Sequence, residues 1–196
     1  FLDGGTIYLA STKFDSVLAF DTASGEFTKA WMYRHFFTKD PKTTPDPGPP
    51  VARAMVYDPR RDKGPKAADS VHLNQVWVEE GKIYFSGVRI RALFYIDPAG
   101  GVRRHANLPD WTHNARPFRG GVLANSTGQD AIVHFDQMAT PIKQFPTVRY
   151  NPSDLENVPT TQDVARQAFA RGLVTTPDGL IIGGSSPSTV TVYDYE

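Results

Sequence analysis

The side chains best suited to chemistry in this sequence are imidazole, amide and guanidinium groups at the starts of three short apolar segments. These starts read His72-Leu73-Asn74-Gln75, His113-Asn114-Ala115-Arg116 and Ala170-Arg171-Gly172. When the segments are aligned on the glycines that follow them, His72, His113 and Arg171 fall at nearly equivalent positions. Polar groups at equivalent positions of converging strands would line one pocket.

Two kinds of site would suit these residues. In an anion site, the arginines would grip carboxylate or phosphate with their guanidinium forks while histidine and asparagine donate further hydrogen bonds. The predicted ligand-binding residues are His72, Asn74, His113, Asn114, Arg116 and Arg171. In a metal site, His72 and His113 would be the ligands of a divalent cation, because neutral imidazole commonly binds zinc and iron. The alternative is that these side chains only satisfy backbone groups where strands converge.

A repeated pattern surrounds these positions. Four segments read glycine, apolar strand, small polar residues, apolar strand and aspartate, and the glycine-to-aspartate separations are 16, 16, 15 and 15 residues. Each strand is short and rich in β-branched or aromatic residues, as expected for hairpins. A turn follows each of the first three aspartates, whose side chains are predicted to accept backbone N–H bonds there. The four segments are Gly5–Asp21, Gly81–Asp97, Gly121–Asp136 and Gly179–Asp194.

Further strands flank the hairpins. Outer strands are predicted over Glu26–Met32, Val102–Leu108 and Pro141–Phe145, and inner strands over His72–Glu79, His113–Phe118 and Arg171–Thr176. Four antiparallel strands per repeat make the blade of a β-propeller. We therefore predict an all-β propeller with about four blades, and residues 1–196 as a single domain. A β-sandwich would also contain short strands, but it would not explain the regular spacing.

Two insertions interrupt the blades. Residues 38–70 are rich in proline, which predicts an extended, mostly solvent-facing loop around one short strand, Arg53–Tyr57. Residues 147–170 contain Thr160-Thr161-Gln162-Asp163 before an alanine-rich run, which predicts one short helix.

The first and last repeats are short of strands. Repeat one has no room for an inner strand before Gly5, and repeat four has none for an outer strand after Asp194. We expect the chain to be part of a larger, six-bladed propeller, or a partner in a larger assembly to supply the missing blades. A four-bladed ring with irregular end strands is the alternative.

Charge and composition exclude several classes of protein. The chain has 21 Lys+Arg, 21 Asp+Glu and no long basic run, so electrostatic binding of nucleic acid or anionic membranes is not expected. No apolar stretch reaches the ~20 residues that a membrane helix needs, and no membrane insertion is predicted. The absence of cysteine excludes disulfides, thiolate metal sites and cysteine nucleophiles.

Three groups of residues carry a resemblance to a known family. They are His72-Leu73-Asn74 with Glu80-Gly81-Lys82-Ile83-Tyr84, Thr112-His113-Asn114 with Gly120-Gly121-Val122-Leu123, and Phe169-Ala170-Arg171-Gly172-Leu173. In this order they resemble a bacterial family of six-bladed propellers that is similar to the NHL-repeat and gluconolactonase-like group. The resemblance implies a propeller fold. Gluconolactonase-like enzymes hold a divalent cation with Glu, Asn and Asp, which would give Asn74 and Asn114 a ligand role, but their acidic ligand has no counterpart here.

Three functions are consistent with these observations. The first is a binding or interaction propeller that accepts a small polar molecule or a protein segment and needs no cofactor. The second is a metal-dependent hydrolase or lactonase, with His72 or His113 as base and Arg171 stabilising the oxyanion. The third is a structural subunit that docks through the proline-rich loop.

Overall fold

The computed structural model describes residues 1–36, 51–61, 64–156 and 166–196. These residues form four antiparallel β-sheets that follow one another along the chain. Within each sheet every strand pairs with its neighbour in the sequence, so each sheet is an up-and-down meander. These sheets are the blades of an all-β propeller, and the predicted fold class is confirmed.

The strand bounds are as follows. Blade 1 contains β1 (Leu2–Asp3), β2 (Thr6–Ser11), β3 (Ser16–Asp21), β4 (Glu26–Phe36) and β5 (Val51–Tyr57). Blade 2 contains β6 (Leu73–Glu79), β7 (Lys82–Gly87), β8 (Ala92–Ile96) and β9 (Val102–Asn107). Blade 3 contains β10 (Thr112–Phe118), β11 (Gly121–Ser126), β12 (Ala131–Phe135) and β13 (Pro141–Pro146). Blade 4 contains β14 (Ala170–Thr175), β15 (Ile181–Ser185) and β16 (Thr189–Tyr193).

The aspartate turns form as the spacing predicts. The amide of Gly101 donates to Asp97 Oδ1 over 2.7 Å, and the amides of Met138 and Thr140 each donate to Asp136 Oδ1 over 2.8 Å. A carboxylate that accepts backbone N–H bonds is stabilised in its charged form. These backbone bonds lower the pKa of the turn carboxyls, namely Asp21, Asp97 and Asp136.

Blade 1 differs from the four-strand expectation at both edges. The two-residue strand β1 pairs with β2 in the place where no inner strand was expected. The predicted strand Arg53–Tyr57 exists within β5, and it pairs with β4 as a fifth strand rather than standing apart in the loop. Blade 4 has three strands, as predicted.

The predicted short helix is not found where the structure describes that insertion. Residues 157–165 lie outside the described residues, and Arg166–Phe169 form a turn that leads into β14. The described helical segments are two single 3₁₀ turns, Thr12–Phe14 and Pro152–Asp154. The proline-rich segment 37–50 and residues 62–63 also lie outside the described residues.

The chain divides into two compact units, and each has its own core. Unit 1 comprises Phe1–Ile90 and Phe94–His105, and unit 2 comprises Arg91–Leu93 and Ala106–Glu196. In unit 1 the buried ring of Tyr33 packs 5.1 Å from Phe85 and 5.5 Å from Phe94, measured between ring centroids.

In unit 2, blades 3 and 4 pack face to face. Leu123, Ile132 and Phe145 of blade 3 form a buried cluster with Ile181 of blade 4. The ring of Tyr193 adds to this cluster at its edge. Since these side chains come from alternate positions of short strands, one face of each blade is used for this contact.

Across the described ranges, helices with the length and apolar character required to cross a bilayer are absent.

Candidate functional site

In unit 1, His72 forms a polar group with two neighbours just before β6. Its Nδ1 lies 2.9 Å from Asp69 Oδ1, and Arg89 donates from Nη1 to the backbone carbonyl of Asp69. The His72 side chain is 36% exposed, and in the described residues its Nε2 has no hydrogen-bond partner. A carboxylate on one ring nitrogen orients an imidazole and leaves the other nitrogen available for a ligand or a proton.

The segment before His72 is held in place by a buried carboxylate. Asp15 accepts hydrogen bonds from Arg34 Nη1 over 2.9 Å, from the Ser70 amide over 2.8 Å and from the Ser70 hydroxyl over 2.7 Å. The Val71 amide donates to its second oxygen over 3.2 Å. Asp15 is fully buried and has a left-handed backbone with φ of +49°. This carboxylate therefore anchors the strand that carries His72 and Asn74.

Asn74 lies next to this group at a β-bulge. The pairing of β6 with β7 passes from Leu73 to Gln75 and leaves Asn74 as the extra residue. Both polar atoms of the Asn74 amide are shielded from solvent and have no hydrogen-bond partner in the described part of the chain.

In unit 2, side chains of blade 3 bind three consecutive carbonyl groups of β14. Asn114 Nδ2 donates to the carbonyl of Arg171, Asn125 Nδ2 to that of Gly172 over 3.2 Å, and Arg116 Nη2 to that of Leu173. Asn125 and Arg116 are buried. For Asn114 and Arg116, the geometry therefore favours the alternative that the sequence left open, the satisfaction of backbone groups.

His113 is also buried. Its Nδ1 lies 3.4 Å from the Thr127 hydroxyl, and its ring meets the ring of Phe169 edge-on at 6.1 Å. Burial within a packed contact gives His113 less access to a solute than His72 has.

Arg171 contrasts with these buried groups. Its side chain is exposed, and its guanidinium carbon lies 4.7 Å from the centre of the Phe169 ring, which is a cation–π contact. In the described residues the Arg171 guanidinium has no carboxylate and no other hydrogen-bond acceptor. Phe169 is itself held by Arg166, whose guanidinium lies 5.3 Å from the ring and pairs with Asp130.

Three inner strands share one irregularity. Besides Asn74 in β6, the bulged residues are Asn114-Ala115 in β10 and Arg171 in β14. A bulge turns side chains away from the regular alternation and is common beside binding sites. The three strand starts that align in the sequence therefore also share a backbone feature, a β-bulge at or next to the polar residue.

The predicted site residues belong to two units. Unit 1 contains His72 and Asn74, and unit 2 contains His113, Asn114, Arg116 and Arg171. Within unit 2, Asn114 and Arg116 bind backbone carbonyls of β14, the strand that contains Arg171, while the side chains of His113 and Arg171 each contact Phe169. In the described ranges there is no cluster of three or more His, Asp or Glu residues able to hold a metal ion.

The sequence interpretation missed three residues that shape these groups, namely Asp15, Asp69 and Phe169. Asp69 could have been identified from its spacing, because a carboxylate three residues before His72 can reach the imidazole ring. The signal for Phe169 was its position two residues before Arg171, which places the two side chains on one side of an extended chain.

Comparisons with known proteins give fold-level similarity only. No protein-family profile matches the chain, and no curated protein matches it. Among solved structures, a streptogramin B lyase is 11% identical with a TM-score of 0.43, over 98% of this chain and 66% of the lyase. The chain thus spans slightly less than two thirds of that lyase. A glutaminyl cyclase from Myxococcus xanthus is 12% identical with a TM-score of 0.49, over 98% of this chain and 72% of the cyclase. The computationally designed Ika4 protein is 8% identical with a TM-score of 0.49, over 100% of this chain and 88% of that protein.

Proposed function

We propose that this β-propeller is a binding protein that recognises a small anionic molecule, or a segment that carries a carboxylate or phosphate, at Arg171. The ligand would bind outside the start of β14, where the bulge turns the Arg171 side chain outward. The observation that carries the proposal is the exposed Arg171 guanidinium, which is positioned over Phe169 and has no acceptor in the described residues.

The chemistry of this group favours an anion. A guanidinium presents its donors in a planar fork that matches carboxylate and phosphate oxygens. Stacking on Phe169 restricts the side chain before the ligand arrives, so less conformational entropy is lost on binding. Many other described arginines already have an acidic partner, such as Arg34 with Asp15, Arg91 with Asp110 and Arg119 with Glu196.

Direct binding measurements on the full chain test this proposal. Citrate, succinate and inorganic phosphate serve as probes, first by thermal shift and then by titration calorimetry. A charge-assisted hydrogen bond contributes about 1.5–3 kcal/mol, so Arg171→Met should weaken binding roughly 10- to 100-fold. Arg171→Lys should give a smaller loss, because it keeps the charge without the fork.

Arg119→Met is the matched control. The Arg119 guanidinium also lies over an aromatic ring, 3.9 Å from the centre of Tyr195, but it is paired with Glu196. This variant should bind the probes as the parent chain does. The proposal fails if no probe binds at about 10 mM, or if Arg171→Met and Arg119→Met have equal effects.

A second function, a metal-dependent hydrolase or lactonase, is favoured by one observation, the contact between Asp69 and His72. In this proposal the half-exposed His72 ring acts as the base, since Asp69 occupies Nδ1 and leaves Nε2 for the proton. His72 and Asn74 would then be the functional residues of unit 1.

Metal analysis and turnover assays separate the two functions. The hydrolase proposal expects stoichiometric bound calcium, zinc or iron and turnover of a simple lactone, and the turnover should be lost in His72→Gln because the base is removed. His105→Gln is the control, since the His105 ring packs edge-on against Tyr84 at 5.5 Å and is not part of the group around His72. Metal-free chain that turns over neither lactones nor esters rules this function out and leaves the anion-binding proposal intact.

A further inference from the structure

One face of blade 4 is apolar and exposed. Val190 is 74% exposed, Val192 is 57% exposed and Val174 is 43% exposed. Ile182 pairs with both Val174 and Val192, so these side chains lie together on one face of the sheet. A contiguous group of exposed β-branched residues is typical of an interaction surface.

The strand register gives this face a counterpart in blade 3. When the last hairpin strands of the two blades are aligned on the aspartates that follow them, Val190 matches Ile132 and Val192 matches His134. Ile182, which pairs with Val192, then matches Leu123, which pairs with His134. In blade 3, Leu123 and Ile132 are buried against Ile181 of blade 4. The exposed face of blade 4 is therefore the same face that is covered in blade 3.

The contact between blades 3 and 4 also shows what kind of surface covers such a face. The covering side of blade 4 presents Ile181 and Tyr193, which are paired residues of β15 and β16. Gly183 lies on the same side, and a Cβ atom added there would come within 2.5 Å of Ile132 Cδ1. The covering surface is thus an apolar sheet face in direct contact at Gly183, and the polar bonds from blade 3 to β14 flank that contact.

Blade 1 presents a face of this covering type. By the same alignment, Phe20 matches Tyr193, and their cross-strand partners Ile7 and Ile181 therefore match as well. Leu9 lies beside them and is 40% exposed. Blade 1 therefore has the side-chain chemistry of the surface that covers Leu123 and Ile132 in blade 3.

We propose that the exposed face of blade 4 binds a second copy of this chain, through the Ile7–Leu9–Phe20 face of that copy's blade 1. The contact would use the register of the packing between blades 3 and 4, with Leu9 at the position of Gly183 and the smaller Val190 at the position of Ile132. It is heterologous, because two different surfaces meet, so it can build a closed assembly or a longer series. A formal net charge of 0 means that the copies do not repel one another strongly.

Sedimentation velocity on the full chain, from about 1 to 100 µM, tests the proposal. The mass should rise with concentration above the 21.7 kDa of one chain. Val192→Glu and Leu9→Glu should each raise the dissociation constant at least about 100-fold, because each buries a charge in an apolar contact. Ile142→Glu is the matched control, since Ile142 is 56% exposed but lies at a bulge in β13, outside both faces.

Mixing the two variants tests the pairing of faces. Val192→Glu keeps its blade 1 face and Leu9→Glu keeps its blade 4 face, so an equimolar mixture should form a one-to-one dimer although each variant alone is monomeric. Circular dichroism verifies folding, and Val190→Lys replaces Val192→Glu if that variant is unfolded.

Three outcomes would overturn the proposal. The parent chain could stay at 21.7 kDa over the whole range. Val192→Glu could associate as the parent does, which would place the contact elsewhere. A mixture that remains monomeric would show that blade 4 does not pair with blade 1.

Discussion

Replacing the buried carboxylate of Asp15 should destabilise the protein more than any exposed charge substitution. Asp15 accepts four hydrogen bonds, from Arg34, from the Ser70 amide and hydroxyl, and from the Val71 amide. Because the side chain is fully buried, water cannot replace these bonds without opening the structure. The substitution Asp15→Ala would leave the guanidinium and both amides without their acceptor.

The expected loss of unfolding free energy follows from two separate considerations that agree. Four hydrogen bonds at roughly 1 kcal/mol net each give about 4 kcal/mol. Removing one partner of a buried ion pair costs about 3–5 kcal/mol in other proteins. Alanine adds about 1 kcal/mol, because φ at this position is +49° and alanine tolerates that region poorly. We therefore expect Asp15→Ala to lower the free energy of unfolding by about 4–5 kcal/mol.

Urea denaturation followed by circular dichroism measures this loss, with two further variants for comparison. Asp15→Asn keeps the tolerance for a left-handed backbone and one acceptor oxygen, so it should lose about 2 kcal/mol. Ser70→Ala removes only the hydroxyl donor and should lose about 1 kcal/mol. If the free energy of unfolding falls by less than about 1 kcal/mol in Asp15→Ala, then Asp15 does not anchor the segment before His72.

Three further predictions concern stability. Burial lowers the pKa of His134, so the folded protein keeps this ring neutral while the unfolded chain takes up a proton near pH 6.5. The free energy of unfolding should therefore fall as the pH drops below about 6.5, and urea midpoints at high and low pH should show a smaller fall in His134→Gln. An added Cβ at Gly87 would lie 2.6 Å from a backbone carbonyl oxygen, so Gly87→Ala should lose about 1–3 kcal/mol by urea denaturation, whereas Gly64→Ala, which meets nothing within 4 Å, should not. Arg116→Met should lower the melting temperature by several degrees because the carbonyl of Leu173 loses its donor; an unchanged melting temperature would exclude a structural role for this bond.

Much of the fold could be predicted because its signals are local. Each hairpin from glycine to aspartate is encoded within about 16 residues, and the turn chemistry of Asp97 and Asp136 acts over at most four residues. The place of β5 could not be predicted in the same way. Its pairing with β4 depends on contacts that no short motif encodes.

The residues of the candidate site could be selected from the sequence because their spacing is also local, and their role as a site stays a prediction. The spacing selected Asn114, Arg116 and Arg171, and in the structure Asn114 and Arg116 bind carbonyls of the strand that contains Arg171. Their separate roles depend on which groups lie opposite. Asn114 and Arg116 each bind a carbonyl 57 residues away, which leaves the Arg171 side chain as the exposed donor. The anchoring role of Asp15 could not be predicted, because its partners Ser70 and Val71 are 55 and 56 residues away in the sequence.

The bonds from blade 3 to β14 have a consequence for solubility. β14 is an edge strand, and an edge strand with free backbone acceptors can recruit another chain and start a fibril. Here the amides of Asn114 and Asn125 and the guanidinium of Arg116 already bind backbone acceptors of this strand. These three side chains hold β14 against blade 3, so truncating them should make this edge strand more available to another chain and raise the tendency to aggregate.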